Sequence, residues 1–259
     1  MRFGRLIAAF FALLLAVGGY FFSTRKEVNP VTGETQRVAL TVDQEIALGL
    51  QSAPEMAQQF GGELPDAQAQ AMVDRIGNGL VQANLPDTPY RFDFHLLADP
   101  QTVNAFALPG GQIFITAALA ERLQTEGQLA GVLGHEIGHV VGRHSAEQMA
   151  KAMLYQGLAN AGTIATYDPN NPNVAAAVPQ LVAQLTQMKH GRDDGLQSDE
   201  LGVRFLAEAG YDPRALISVM QILEEASGGA RQPEFASTHP NPGNRIERIE
   251  ATIRARFPR

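Results

Sequence analysis

The sequence predicts a mainly α-helical protein of the α+β class with a small antiparallel β-sheet. The composition is that of an ordinary globular protein, with 45% hydrophobic and 18% charged residues. A high alanine content and only 7% aromatic residues favour helix. Two short segments alternate between apolar and polar residues, which is the pattern of strands. The 259 residues suffice for one compact domain with a short leader.

Five segments carry the residues that begin and end helices. Thr41 followed three residues later by Gln44, and Thr125 followed by Gln128, match the capping box. Gly210 is the type of residue that ends a helix, because glycine adopts the left-handed conformation at low cost. The predicted helices span about residues 41–59, 65–83, 125–143, 193–209 and 216–226.

The two predicted strands are separated by a loop and a glycine turn. Residues 91–97 place their apolar side chains on one face, and residues 112–116 form the second strand. The second strand follows directly on a tight turn at Gly110 and Gly111. Residues 104–109 are predicted to be a loop. We expect the two strands to pair antiparallel beside the third helix.

The N-terminal segment has the pattern of an export signal or a membrane anchor. Residues 1–26 contain an apolar run at 6–22 with basic residues on both sides. A run of this length is at the short limit for a spanning helix, and no clear small-x-small cleavage site follows it. An uncleaved signal-anchor is favoured, and cleavage stays open. We expect a linker at 27–37, and a domain at 38–259 that lies in the periplasm, exported or tethered to the inner membrane.

The charge and the cysteine content exclude several classes of function. The formal net charge of −7 argues against a nucleic-acid partner, because phosphate binding needs a clustered basic surface. With no cysteine, the chain has no disulfide, thiolate metal site or cysteine nucleophile. Any metal ion must therefore be held by histidine, aspartate or glutamate.

The third predicted helix contains the pattern H-E-x-x-H. His135 and His139 are one helical turn apart on the same face, so both imidazoles can reach one ion. Glu136 lies beside the first histidine, where its carboxylate can take a proton from an activated water molecule and pass it to the leaving amine. Zinc lowers the pKa of water from about 16 to roughly 7. The pattern predicts a zinc site that hydrolyses peptide bonds.

The alternative is that the pattern arose by chance on a surface helix. The neighbouring apolar residues argue against this, because they would bury the two histidines and the glutamate. Burying such groups without partners costs several kcal/mol, roughly, and a metal ion removes that cost. The apolar stripe consists of Leu129, Val132, Leu133, Ile137, Val140 and Val141.

Five ordered segments resemble the HtpX and CAAX-prenyl-protease family of gluzincin zinc metallopeptidases, in its exported bacterial branch. The resemblance covers about residues 40 to 252. It implies a largely helical zincin-like fold, one zinc ion, and endopeptidase activity on proteins at or outside the membrane. The segments are NAFALPGG at 104–111, HEIGH at 135–139, Arg192 with SDELG at 198–202, AGYDP at 209–213, and STHP at 237–240 with Arg245.

The resemblance also implies how a substrate binds. The second predicted strand would be a sheet edge to which a protein substrate adds as an extra strand. Backbone pairing of this kind gives loose sequence selectivity. The candidate substrate-binding residues are Gly111, Gln112, Ile113 and Phe114.

The sequence departs from the family at one position that matters. The resemblance places the third zinc ligand, a glutamate, four residues before Asp199, and this chain has Gly195 there. Asp199 lies one turn further on, about 6 Å along the helix axis, so it does not simply replace the missing carboxylate. Asp194, Asp199 and Glu200 are the remaining candidates for a third ligand, and Asp199 is the preferred one.

Three further residues are candidates for a role near the metal. His239, in a loop next to Pro240, is a candidate catalytic residue, as a transition-state donor or an alternative zinc ligand, or else a packing residue. Arg245 either stabilises the developing oxyanion or anchors its loop through a carboxylate, and the second role is favoured. His144 is expected to support the end of the active-site helix.

Two hypotheses follow. The first is an active zinc endopeptidase that degrades or trims misfolded envelope proteins. The second is an inactivated family member that serves as a membrane-tethered binding or chaperone-like module. Gly195 separates the two hypotheses, because losing a carboxylate ligand should weaken zinc binding by more than the roughly 10- to 100-fold typical of outer partners.

Overall fold

The computed structural model describes residues 2–166, 191–227 and 244–257, and within them the fold is mainly helical with two small sheets, which confirms the predicted class. The helices are α1 (Arg2–Ser23), α2 (Val42–Gln59), α3 (Ala67–Asn84), α4 (Ala117–Ala120), α5 (Glu126–Val141), α6 (His144–Thr166), α7 (Arg192–Glu208), α8 (Ala215–Ser227) and α9 (Arg245–Arg256). The strands are β1 (Arg25–Val28), β2 (Thr35–Val38), β3 (Asp93–Leu97), β4 (Ala105–Ala107) and β5 (Gln112–Thr116). The five predicted helices match α2, α3, α5, α7 and α8, with ends that differ by a few residues at most.

The chain divides into two compact units. The first unit consists of residues 1–41 and 146–188, and the second of residues 42–145 and 189–259. In the first unit, β1 and β2 pair antiparallel. The segment 27–37, which we expected to be a linker, is thus largely a β-hairpin, and the expected domain boundary at residue 38 falls on the last residue of β2. No helix in the described part of the chain combines the length and hydropathy of a transmembrane span.

The second unit contains a three-stranded sheet in the order β3–β5–β4. β3 and β5 run parallel, so the expected antiparallel pairing of these strands is wrong. The physical reason is β4, which lies in the segment predicted as a loop and pairs antiparallel with β5. The turn joining β4 to β5 has positive φ angles of 83° at Gly110 and 118° at Gly111, which side chains disfavour.

The outer side of β3 is closed by the chain itself. The Leu64 N–H donates to the Leu96 carbonyl at 2.8 Å, and the Ala98 N–H donates to the Gly62 carbonyl at 2.9 Å. The Gln70 side-chain amide donates to the Phe94 carbonyl and accepts from the Leu96 N–H. These bonds occupy the backbone groups of β3 that point away from β5, so β3 has no open edge there.

Helix α5, which contains the H-E-x-x-H pattern, lies at the centre of the second unit. Every residue from Gln128 to Val141 is buried, and α5 contacts α3, α7, α8 and β4. Its closest neighbour is α7, because a Cβ atom at Gly138 would lie only 3.0 Å from the Cα of Ser198. This close approach of two backbones sets His135 and His139 directly opposite the residues of α7.

Candidate active site

His135, Glu136 and His139 lie together in the interior of the protein. Thr125 begins α5 as expected, since its side chain accepts from the Gln128 N–H. His135 and His139 then stand one turn apart, and their Nε2 atoms face each other at 3.1 Å. Glu136 is fully buried beside them. The structure therefore brings together the three residues that the H-E-x-x-H pattern singled out.

Asp199 of α7 and Arg245 of α9 hold the first imidazole. An oxygen of the Asp199 carboxylate lies 2.9 Å from His135 Nδ1. Arg245 donates to both oxygens of Asp199, from Nε at 2.5 Å and from Nη2 at 2.8 Å. Arg245 is thus bound to a carboxylate, the role that the sequence favoured. Because a carboxylate accepts only, a neutral His135 donates to it from Nδ1, and its lone pair is then on Nε2, which also lies 3.4 Å from Arg245 Nη2.

His144 and Gln197 hold the second imidazole in the same way. His139 Nδ1 lies 2.9 Å from His144 Nδ1, and His144 Nε2 lies 2.8 Å from the Gln197 side-chain oxygen. The oxygen accepts only, so His144 donates to it from Nε2 and can accept from His139 at Nδ1. His139 then donates from Nδ1 and keeps its lone pair on Nε2. His144 does support the end of α5.

The two facing nitrogens form a donor set for a cation. Two Nε2 lone pairs 3.1 Å apart repel each other in a buried site, and a positive ion between them removes the repulsion. Zinc–nitrogen bonds of about 2.0–2.1 Å at a near-tetrahedral angle place two nitrogen ligands about 3.3 Å apart. Donating the other ring nitrogen to an acceptor is the usual way in which a metal-binding histidine is oriented. His135 and His139 therefore fit a zinc ion.

Burial decides the charge of these groups. It lowers the pKa of His135, against the opposing effect of Asp199, so the imidazole is neutral as a metal ligand must be. Burial also raises the pKa of the Glu136 carboxyl to about 8, a value suited to a general base near neutral pH. Burial alone would raise the pKa of Asp199, but the Arg245 guanidinium and the hydrogen bonds from Arg245 and His135 lower it.

The described residues supply two candidate metal ligands. In residues 2–166, 191–227 and 244–257, no group of three His, Cys, Asp or Glu side chains is arranged to hold a metal ion. The Asp199 carboxylate lies at Nδ1 of His135, the ring nitrogen that does not face His139. Asp194 accepts from the Gly191 N–H, and Glu200 is half-exposed near Arg248. A Cβ atom at Gly195 would meet nothing within 4 Å, so the position has room for a side chain.

The residues expected to bind substrate lie inside the sheet. β5 has β3 on one side and β4 on the other, so the expectation that it forms the sheet edge is wrong. Gly111, Gln112, Ile113 and Phe114 are buried, and the Gln112 side-chain oxygen lies 3.0 Å from His95 Nε2. The strand that alternation could not identify, three-residue β4, takes the position next to α5.

His239 and Gln197 are the two remaining residues at which sequence and structure have to be compared. His239 lies outside the residues that the structure describes, so its role as a catalytic residue stays a prediction. Gln197 was missed, because a glutamine in a helix carries no sign of its partner. Gln197 lies two residues before Asp199. That position would have identified Gln197 as a partner of His144 only if the contact between His144 and His139 had been known.

The chain is similar to known metallopeptidases. Residues 63–253 match the model of Peptidase family M48. Mitochondrial metalloendopeptidase OMA1 of Schizosaccharomyces pombe is 28% identical over 251 residues, which cover 93% of this chain and 70% of that protein. Beta-barrel assembly-enhancing protease of Escherichia coli strain K12 is 29% identical over 240 residues, 87% of this chain and 47% of that protein. The chain thus spans about half the length of the second relative.

Replacing Glu136 by glutamine should stabilise the metal-free protein in a pH-dependent way. The folded-state pKa of about 8 lies above the ordinary glutamate value of 4.5, so the unmodified protein loses stability as pH rises between these values. Glu136→Gln cannot ionise and is spared this loss. The difference in unfolding free energy between the two proteins should therefore widen from pH 5 to pH 8, by up to about 1.4 kcal/mol per pH unit, and the difference in melting temperature should widen with it.

The measurement is thermal unfolding in the presence of a chelator across this pH range. Glu121→Gln, at an exposed position, shows what the loss of one surface carboxylate does to the same curve. A Glu136→Gln curve parallel to that of the unmodified protein would contradict the burial effect.

Proposed function

This chain belongs to peptidase family M48, and we propose that it is a zinc-dependent endopeptidase in which His135 and His139 hold the metal. The relatives are named as metalloendopeptidases and proteases, which supports peptide-bond hydrolysis as the reaction. The observation that carries the zinc proposal is the pair of Nε2 atoms facing each other at 3.1 Å, each ring fixed by an acceptor on its far side.

In the proposed reaction, different residues of the chain activate water, transfer the proton and orient the metal ligands. His135 and His139 would hold a zinc ion, which would supply Lewis-acid polarisation of the substrate carbonyl and a water molecule of lowered pKa. Glu136 takes one proton from the attacking water and returns it to the amide nitrogen as the peptide bond breaks. Asp199 and His144 keep the two imidazoles in the tautomer that presents Nε2. Arg245 keeps Asp199 ionised at the back of the site.

We place the substrate strand on β4 instead of β5. The Asn104 carbonyl and the Leu108 N–H both bond to β5, at 3.1 and 2.8 Å. In an antiparallel pair the backbone groups alternate in direction, so those of Ala105 and Ala107 point away from β5. Ala105 is fully buried and Ala107 only half-buried, which makes Ala107 the more accessible of the two. An extended peptide paired here lies beside α5.

The apolar helix α1 supports attachment to a membrane. Phe10, Phe11, Leu14 and Leu15 are each more than half exposed to solvent, which is costly for large apolar side chains in water. Arg25 and Lys26 follow α1 and add positive charge next to this surface. The proposal is that α1 attaches the protein to a membrane, on the face away from the cytoplasm. The substrates there are envelope proteins or misfolded proteins.

The alternative function is that of an inactivated family member that binds proteins without cutting them. Gly195 favours it, because the described residues provide two ligands and the position expected for the third has no side chain. The retained Glu136 favours the enzyme, since a binding module has no use for a buried carboxylate between two histidines.

Four proteins compared side by side test the enzyme proposal. The unmodified chain should bind one zinc ion and cleave casein. Glu136→Gln should keep its zinc and lose about 10²- to 10⁴-fold in kcat, the usual contribution of a general base. Gly195→Glu should bind zinc at least tenfold more tightly than Gly195→Ala, which improves the helix by a similar amount but adds no ligand. Zinc content and casein cleavage are the measurements.

Two results would decide against the proposal. If the unmodified chain shows neither zinc nor cleavage while Gly195→Glu gains both, the chain as written is the inactivated member. Unchanged cleavage by Glu136→Gln would remove Glu136 as the base.

Proline at position 107 should weaken substrate binding while leaving the sheet intact. The Ala107 N–H points away from β5, so removing it costs no bond within the sheet. The residue before a proline prefers extended backbone, which Phe106 already has in β4. Ala107→Pro should raise KM for a fluorogenic peptide about three- to tenfold, the equivalent of one hydrogen bond. Ala107→Val keeps the N–H and is the control; equal KM values for both variants would exclude pairing at β4.

Attachment through α1 can be tested by vesicle flotation. The full chain should float with vesicles of phosphatidylcholine and phosphatidylglycerol. The double variant Leu14→Asp and Leu15→Asp should reduce the bound fraction more than tenfold, because each buried leucine contributes about 1.5–3 kcal/mol. Leu50→Asp, on the exposed side of α2, is the control. No flotation of the unmodified chain, or equal flotation of all three, would contradict the proposal.

A further inference from the structure

A single arginine forms the turn between the active-site helix and α6. Arg143 has φ = 58° and is the one non-glycine residue with a positive φ among residues 2–166, 191–227 and 244–257. Glycine is the usual residue at such a helix end, because a Cβ atom makes the left-handed conformation unfavourable. The turn is also tight, since a Cβ at Gly142 would lie 2.5 Å from His144 Nε2. Something other than backbone preference therefore holds Arg143 there.

The Arg143 side chain is buried on a carboxylate. Its Nε and Nη2 both donate to one oxygen of Glu45, at 2.9 and 2.7 Å. Arg143 is 6% exposed and Glu45 is 2% exposed. A buried charge pair with this geometry is costly to pull apart, so it fixes the guanidinium and with it the turn.

The position of Glu45 is itself fixed, because α2 packs tightly on the turn between β4 and β5. It lies in the first turn of α2, and the next residue, Ile46, packs on the turn between β4 and β5. A Cβ atom at Gly110 would lie only 2.3 Å from the Ile46 Cα, so the two backbones touch. One turn further on, a Cβ at Gly49 would meet the Pro109 carbonyl at 2.0 Å. The carboxylate that binds Arg143 therefore projects from a helix that is locked onto the sheet.

The residue after Arg143 is His144, which holds the second imidazole of the metal site. We infer that Arg143 and Glu45 are positioning residues: their buried pair holds the left-handed turn that places His144 Nδ1 on His139 Nδ1. The inference rests on the proposed zinc site and deepens it. Without the pair, the turn relaxes, His144 loses its register, and the His139 ring is free to rotate and to change tautomer.

Zinc affinity and the cobalt spectrum test this role. Arg143→Gly keeps a residue that tolerates the turn but lacks the guanidinium, and the double variant Glu45→Gln with Arg143→Gly removes both charges, so that no lone charge is left buried. Both should lower zinc affinity at least tenfold and change the ligand-field absorption of the cobalt-substituted protein. They should lower kcat with little change in KM. Arg75→Gln, which breaks an exposed pair with Glu126, is the control and should change none of these.

A double-mutant cycle shows whether the pair acts through His144. In a His144→Ala background, adding Arg143→Gly should cause no further loss of zinc affinity, because the group that it positions is already gone. Additive losses would overturn the inference. So would variants that melt at lower temperature with unchanged zinc affinity and unchanged cobalt spectrum, since that is the result of a merely stabilising pair.

A metal-free measurement separates this inference from the proposed function. The ¹⁵N resonances of the His139 and His144 rings report which nitrogens carry hydrogen. The unmodified chain should show one fixed tautomer for each ring, and the double variant should show averaged resonances for both. If the enzyme proposal fails and the positioning role holds, casein is not cleaved but the ring resonances still change when Arg143 is replaced. Ring resonances identical in both proteins would overturn the positioning role whether or not the chain cleaves casein.

Discussion

Each of the two facing imidazoles must give its Nδ1 hydrogen to a fixed acceptor, and the site depends on this constraint. Asp199 accepts from His135, and His144 accepts from His139. The two Nε2 atoms then present lone pairs to the same point, 3.1 Å apart. If either acceptor moved, its ring could turn a hydrogen towards the other nitrogen, and the pair would bond to itself instead of to a cation.

Chain segments on two sides of α5 provide the two acceptors. α7 reaches the site through the small residues at the crossing, and it carries both Asp199 and Gln197. The turn after α5 brings His144 from the other side. The first acceptor is charged and backed by Arg245, whereas the second is neutral and backed by an amide. The positive charge of Arg245 balances that of Asp199, so the two acceptors add no net charge to the site.

Sequence patterns predicted that His135 and His139 face each other, but they did not predict the arrangement of the sheet. Helical spacing places His135 and His139 on one face whatever surrounds them, so the motif alone was sufficient. Alternation tells which side chains share a face of a strand, but it does not tell whether the next strand runs parallel or antiparallel. β4 escaped notice because three residues are too few to show a period. The Glu45–Arg143 pair joins residues 98 positions apart, and Glu45 looks like any acidic residue in the first turn of a helix.

The closed side of β3 limits what the sheet can do with an unfolded chain. Gly62, Leu64 and Gln70 occupy the outward backbone groups of β3, so this strand offers no edge to which another chain could be added. A sheet with two open edges can be extended from both sides, and each added strand offers a new edge to the next molecule. With the outer side of β3 occupied, extension from that side is excluded, which removes one of the two edges at which the sheet could pair with an unfolded chain.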